Sequence, residues 1–126
     1  MNKYEKIVIV DEVGFSRICH SILLEQGFKV ESLVRGEMEL SQRLVDGVSL
    51  LITSYPFGKS ILSRVHDSAV PVIILVDHLG KEIIELLEEL DNCYCMVKPI
   101  DYRRFSLLVK DLVRNSVFHF GGYSLV

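Results

Sequence analysis

Three polar positions at the ends of apolar runs could do chemistry in this chain: the acidic pair Asp11 and Glu12 after KIVIV, Ser54 after SLLIT, and Lys98 with Pro99 after CYCMV. Two carboxylates and an ammonium suit phosphoryl transfer. The carboxylates hold a divalent cation, the ammonium neutralises phosphate oxygens, and a further carboxylate serves as in-line nucleophile. Ser54 stands where that further acidic group belongs. A serine hydroxyl is un-ionised near neutral pH and needs a neighbouring base. The histidines His20, His66, His78 and His119 are scattered over predicted helices, loops and tail, and none falls beside Ser54 or forms a ligand cluster.

The elements that would position these residues follow from hydrophobic periodicity. Apolar β-branched runs alternate with helical-period stretches along almost the whole chain, which predicts a parallel sheet covered by helices on both faces. Strands are expected at Lys6 to Val10, Lys29 to Leu33, Ser49 to Thr53, Val70 to Val76 and Tyr94 to Val97. The first, third and fourth are almost continuously apolar, as buried interior strands are, whereas KVESL alternates like an edge. The first helix places Phe15, Ile18, Cys19, Ile22 and Leu23 at helical spacing and ends at Gly27. Shorter amphipathic stretches run from Glu37 to Val45 and from Gly58 to His66. Lys81 to Leu90 offers Ile83, Ile84, Leu86, Leu87 and Leu90 to a core, with Glu82, Glu85, Glu88 and Glu89 facing elsewhere. The last helix starts at an Asp101 N-cap, with Ile100 and Phe105 at staple spacing. Its periodicity stops after Arg114. The expected division is a domain over residues 1–115 and an aromatic tail or linker over residues 116–126.

Bulk properties narrow the function classes. At 126 residues the chain is one domain, of a size that buries roughly two-thirds of its unfolded surface. It is 49% hydrophobic with mean hydropathy +0.32, but its apolar blocks are far shorter than the ~20 residues of a membrane helix. MNKYEK lacks the features of a secretory signal, which places the expectation in the cytoplasm. Three cysteines, an odd number without regular pairing, suit a reducing compartment. A net charge of −3 and a pI near 5.8 argue against direct nucleic-acid binding.

In a doubly wound sheet, functional groups collect at the carboxyl ends of the strands, where Asp11, Glu12, Ser54, Val76 and Lys98 all fall. VIVDE followed by Arg17, VRG at Val34 to Gly36, PVIIL at Pro71 to Leu75 and VKP at Val97 to Pro99 occur in an order that resembles the response-regulator receiver domain of two-component signalling. The resemblance covers about residues 4 to 115. It implies an α/β, doubly wound (βα)5 flavodoxin-like three-layer sandwich with a five-stranded parallel sheet in the order 2-1-3-4-5. Receivers keep an acidic pair that holds Mg²⁺, a phosphate-accepting Asp ending the third strand, a Ser or Thr ending the fourth, and the Lys of Lys-Pro. Asp11, Glu12 and Lys98 match. Ser54 replaces the phosphoacceptor, Val76 replaces the hydroxyl residue, Cys95 takes the place of the switch aromatic, and the loop after Ser54 is short. The resemblance therefore implies a degenerate phosphorylation site, a pseudo-receiver, with at most weak residual Mg²⁺ binding at Asp11 and Glu12 and no other cofactor.

The alternative readings are a phosphorelay receiver with an atypical acceptor or metal site, and a flavodoxin-like small-ligand binder. DEVGFS is not a Gly-rich phosphate cradle, which ranks the last of these lowest. For Asp11, Glu12 and Lys98 the plain structural reading is a charge cluster that fixes strand-end geometry. Cys93 and Cys95 flank Tyr94 with strand spacing, so both thiols point to one face, too far apart for easy bridging. The helix at Lys81 to Leu90 is acidic outside, and the last helix carries Arg103, Arg104, Lys110 and Arg114. Receivers commonly use the face formed by these two helices and the fifth strand for contacts. That implies an interaction face at Glu85, Glu88, Glu89, Cys95, Arg103, Arg104 and Lys110, for a protein partner, an attached output domain or a symmetric homodimer. The preferred sequence reading is a binding module and not an enzyme.

Overall fold

In the computed structural model, residues 6–11, 13–33, 48–55, 62, 70–90, 92–114 and 123–126 are described. Glu12, the VRG segment and the predicted helices at Glu37 to Val45 and Gly58 to His66 lie outside them, Leu62 excepted. The elements run β1 (Lys6–Val10), α1 (Val13–Glu25), β2 (Lys29–Leu33), β3 (Val48–Ser54), β4 (Val72–Val76), α2 (Lys81–Glu89), β5 (Cys93–Val97), α3 (Tyr102–Val113) and β6 (Tyr123–Leu125). The strands form one sheet in the order β2-β1-β3-β4-β5-β6, and every neighbouring pair is parallel. This is the expected α/β order, carried one strand further.

Strand alternation divides the core into two layers. On one face of the sheet Val8, Val10, Leu51, Val72, Ile74, Val76, Cys93 and Cys95 pack with Ile83, Leu87 and Leu90 from α2 and its C-terminal boundary. On the other, Ile7, Ile9, Leu50, Ile52, Ile73, Leu75, Tyr94 and Met96 pack with Cys19 and Leu23 of α1 and Phe105, Val109 and Leu112 of α3. Burial of both strand faces is what continuous apolar runs require. The fit is closest in β4, where all five residues are buried.

Local signals fix the helix ends. Gly27 has φ +89 and follows α1; its N–H donates to Leu24 O at 2.9 Å, while the Phe28 N–H donates to Leu23 O at 3.2 Å. These are the paired bonds of a Schellman cap, and the left-handed φ at Gly27 is the one that favours glycine. Arg114, just beyond α3, binds this corner: its Nη2 donates to Gln26 O at 2.9 Å and its guanidinium stacks 4.3 Å from the Phe28 ring centroid. At the start of α3, Asp101 Oδ1 accepts from the Arg103 and Arg104 backbone N–H groups at 3.0 and 3.3 Å, as its N-cap position predicts.

Three expectations are corrected. Ile18, placed in the buried stripe of the first helix, is 49% exposed, because Ser16, Cys19 and Leu23 take the inward face. Cys95, assigned to the interaction face, is 2% exposed; alternation along β5 turns its thiol into the α2-side core. The sheet has six strands rather than five: Tyr123, Ser124 and Leu125 of the expected tail pair with Cys93, Tyr94 and Cys95.

Candidate functional site

The carboxyl ends of β1, β3, β4 and β5 lie side by side, and parallel register sets the height of each polar group. Val10 pairs with Thr53, which brings the next residues, Asp11 and Ser54, level with each other. Both continue the alternation of Ile9 and Ile52, so they face the layer of α1 and α3. The Ser54 hydroxyl donates a hydrogen bond to Asp11 Oδ2. The pair is closed off from solvent, with Asp11 1% and Ser54 4% exposed. A buried carboxylate requires such donors, because losing its hydration without replacement is costly.

Neighbouring hydroxyls hold the same corner. Thr53 Oγ1 donates to the Val10 carbonyl at 2.7 Å, and Ser16 Oγ donates to the Asp11 carbonyl at 3.2 Å. These two were not singled out in the sequence, although a fully buried hydroxyl inside SLLIT already implies a partner. Across the other strand ends, the Tyr55 N–H donates to Leu75 O at 2.9 Å and the Lys98 N–H to Val76 O at 2.8 Å. The Lys98–Pro99 peptide bond is cis.

Lys98 extends over the α1 side, its Nζ 5.4 Å from the centroid of the Phe15 ring, a cation–π contact. Val76 is placed differently. Its side chain belongs with Val72 and Ile74 to the α2-side cluster and is 1% exposed. Asp11, Ser54 and Lys98 thus share one side of the sheet, and Val76 packs on the other. Glu12 lies outside the described residues.

The thiols are insulated from chemistry. Burial pushes Cys19 up from 9.0 to about 12, with the Asp11 charge adding to the shift and the Lys98 charge opposing it. Cys93 is raised to about 12 by burial and then by Cys95, and Cys95 to about 11 by burial. None is a thiolate at neutral pH, the form that nucleophilic or metal-ligand chemistry needs.

Magnesium requires a near-octahedral set of hard oxygens, several of them water. The described donors are one carboxylate, whose Oδ2 already accepts a hydrogen bond, and one hydroxyl, both almost fully buried. These two alone do not complete such a set, and Glu12, the other expected ligand, lies outside the described residues. Among the described residues no group of three His, Cys, Asp or Glu could hold a metal. What the arrangement does is tie β1 to β3 through a satisfied polar pair.

A concavity of about 310 Å³ opens on the α2 side, lined by Tyr55, Val76, Asp77, His78, Gly80, Glu82 and Ile83. The predicted interaction residues Glu85, Glu88, Glu89, Arg103 and Arg104 are exposed and Lys110 is half-buried. The glutamates belong to the α2 layer and the basic residues to the α3 layer, on opposite faces of the sheet. No described helix is long and apolar enough to cross a membrane.

Solved structures share this fold. A response regulator receiver protein from Burkholderia phymatum matches with TM-score 0.69 and 20% identity over 86% of this chain and 94% of that one. A CheY-like response regulator receiver domain from Methylobacillus flagellatus matches with TM-score 0.62 and 16% identity, over 85% and 96%. The chemotaxis protein CheY4 of Vibrio cholerae matches with TM-score 0.65 and 16% identity, over 85% and 97%. No family model and no curated protein matches the chain. At these identities the likeness is one of fold: the chain has the flavodoxin-like architecture of CheY-like receiver domains.

Proposed function

We propose that this chain is a receiver-like signalling module, cytoplasmic and non-enzymatic, that has lost aspartyl phosphorylation and acts by protein contact. The observation that carries the reading is the buried hydrogen bond from Ser54 to Asp11. At the end of the third strand, where a receiver presents its nucleophilic carboxylate, this chain presents a hydroxyl whose proton is committed to the neighbouring acid. Asp11, Glu12, Ser54, Val76 and Lys98 are then the remnant of a phosphorylation site, and any Mg²⁺ binding at Asp11 and Glu12 is weak. Exposure to a small phosphodonor with Mg²⁺, followed by intact-mass measurement, should leave the mass unchanged; a hydroxylamine-sensitive phosphoryl adduct would overturn the reading.

The contact face consists of α2, α3 and the strands between them, with Glu85, Glu88 and Glu89 on one flank and Arg103, Arg104 and Lys110 on the other. Its partner is another protein or an output domain; the simplest form is a second copy, α2 of one chain against α3 of the other about a two-fold axis. Reversing Arg103 and Arg104 to Glu should abolish self-association in sedimentation while shifting stability by no more than about 0.5 kcal/mol. A wild-type chain that stays monomeric at its highest soluble concentration removes the homodimer.

A further inference from the structure

We draw no further inference here: the strongest candidate, the concavity of about 310 Å³ between the end of β4 and the start of α2, with Asp77, His78 and Glu82 on its polar side, rests on a helix N-terminus and two acidic side chains, and nothing in the structure shows what would occupy it.

Discussion

The strand-end cluster around Asp11 and the edge built by β5 and β6 belong to one sheet, yet they treat polar groups in opposite ways. At the strand ends, Asp11, Ser54 and Thr53 are buried and bonded to one another or to nearby carbonyls. Beside the β5 edge, carboxylates and guanidiniums are exposed, and the last strand is short and half open. A site that must bind and release phosphate keeps polar groups available to ligand and water; a closed hydrogen-bonded pair has the character of a structural joint. Under the proposed reading, interaction chemistry belongs beside α2 and α3 and the strand ends have a scaffolding task.

The largest test breaks the closed side. Ser54→Asp sets a second carboxylate against buried Asp11, and the added buried charge should cost about 3 kcal/mol in urea unfolding. Mg²⁺ should restore part of that loss in the variant and leave the wild-type midpoint unmoved. If the wild type is stabilised by Mg²⁺ to the same degree, the strand ends are a metal site after all and the contrast falls. A smaller effect is expected for Ser54→Ala, which removes the hydroxyl and leaves the carboxylate to its remaining partners: about 2 kcal/mol by the same measurement. The smallest is on the open side, where Asp101→Ala removes the α3 cap and should cost about 1 kcal/mol. Equal losses for the Ala variants at Ser54 and Asp101 would show that the strand-end bond is worth no more than a solvent-exposed cap.

Much of this architecture could be read from the sequence because each interior strand is a continuous apolar run and two of the described helices, α1 and α3, carry punctuation of their own. Gly27 and Asp101 act as their local chemistry dictates. The site was legible as a set of positions but not as a set of bonds. Ser54 was recognised as a replacement, while its donation to Asp11 depends on the β1–β3 register, which periodicity does not specify. Which face each strand-end residue takes is likewise a matter of register parity, so Val76 and Ser54 were grouped although they lie on opposite faces of the sheet.

β6 was missed for a different reason. Three residues after Gly121 and Gly122 are too few to show a period of two, and nothing in YSLV distinguishes a docked strand from a free tail. Cys95 went with it: a residue assigned to an exposed face by analogy is covered once alternation along β5 and the added strand are both in place.

The strand order also carries a history. From β3 onward each strand joins the outer edge of the one before it, β4 on β3, β5 on β4, β6 on β5. A chain emerging from the ribosome can therefore extend this half of the sheet in the order of its synthesis, with no strand waiting to be inserted between two others. Within the described sheet β6 is the last to arrive, and undoing it alone disturbs no earlier pairing.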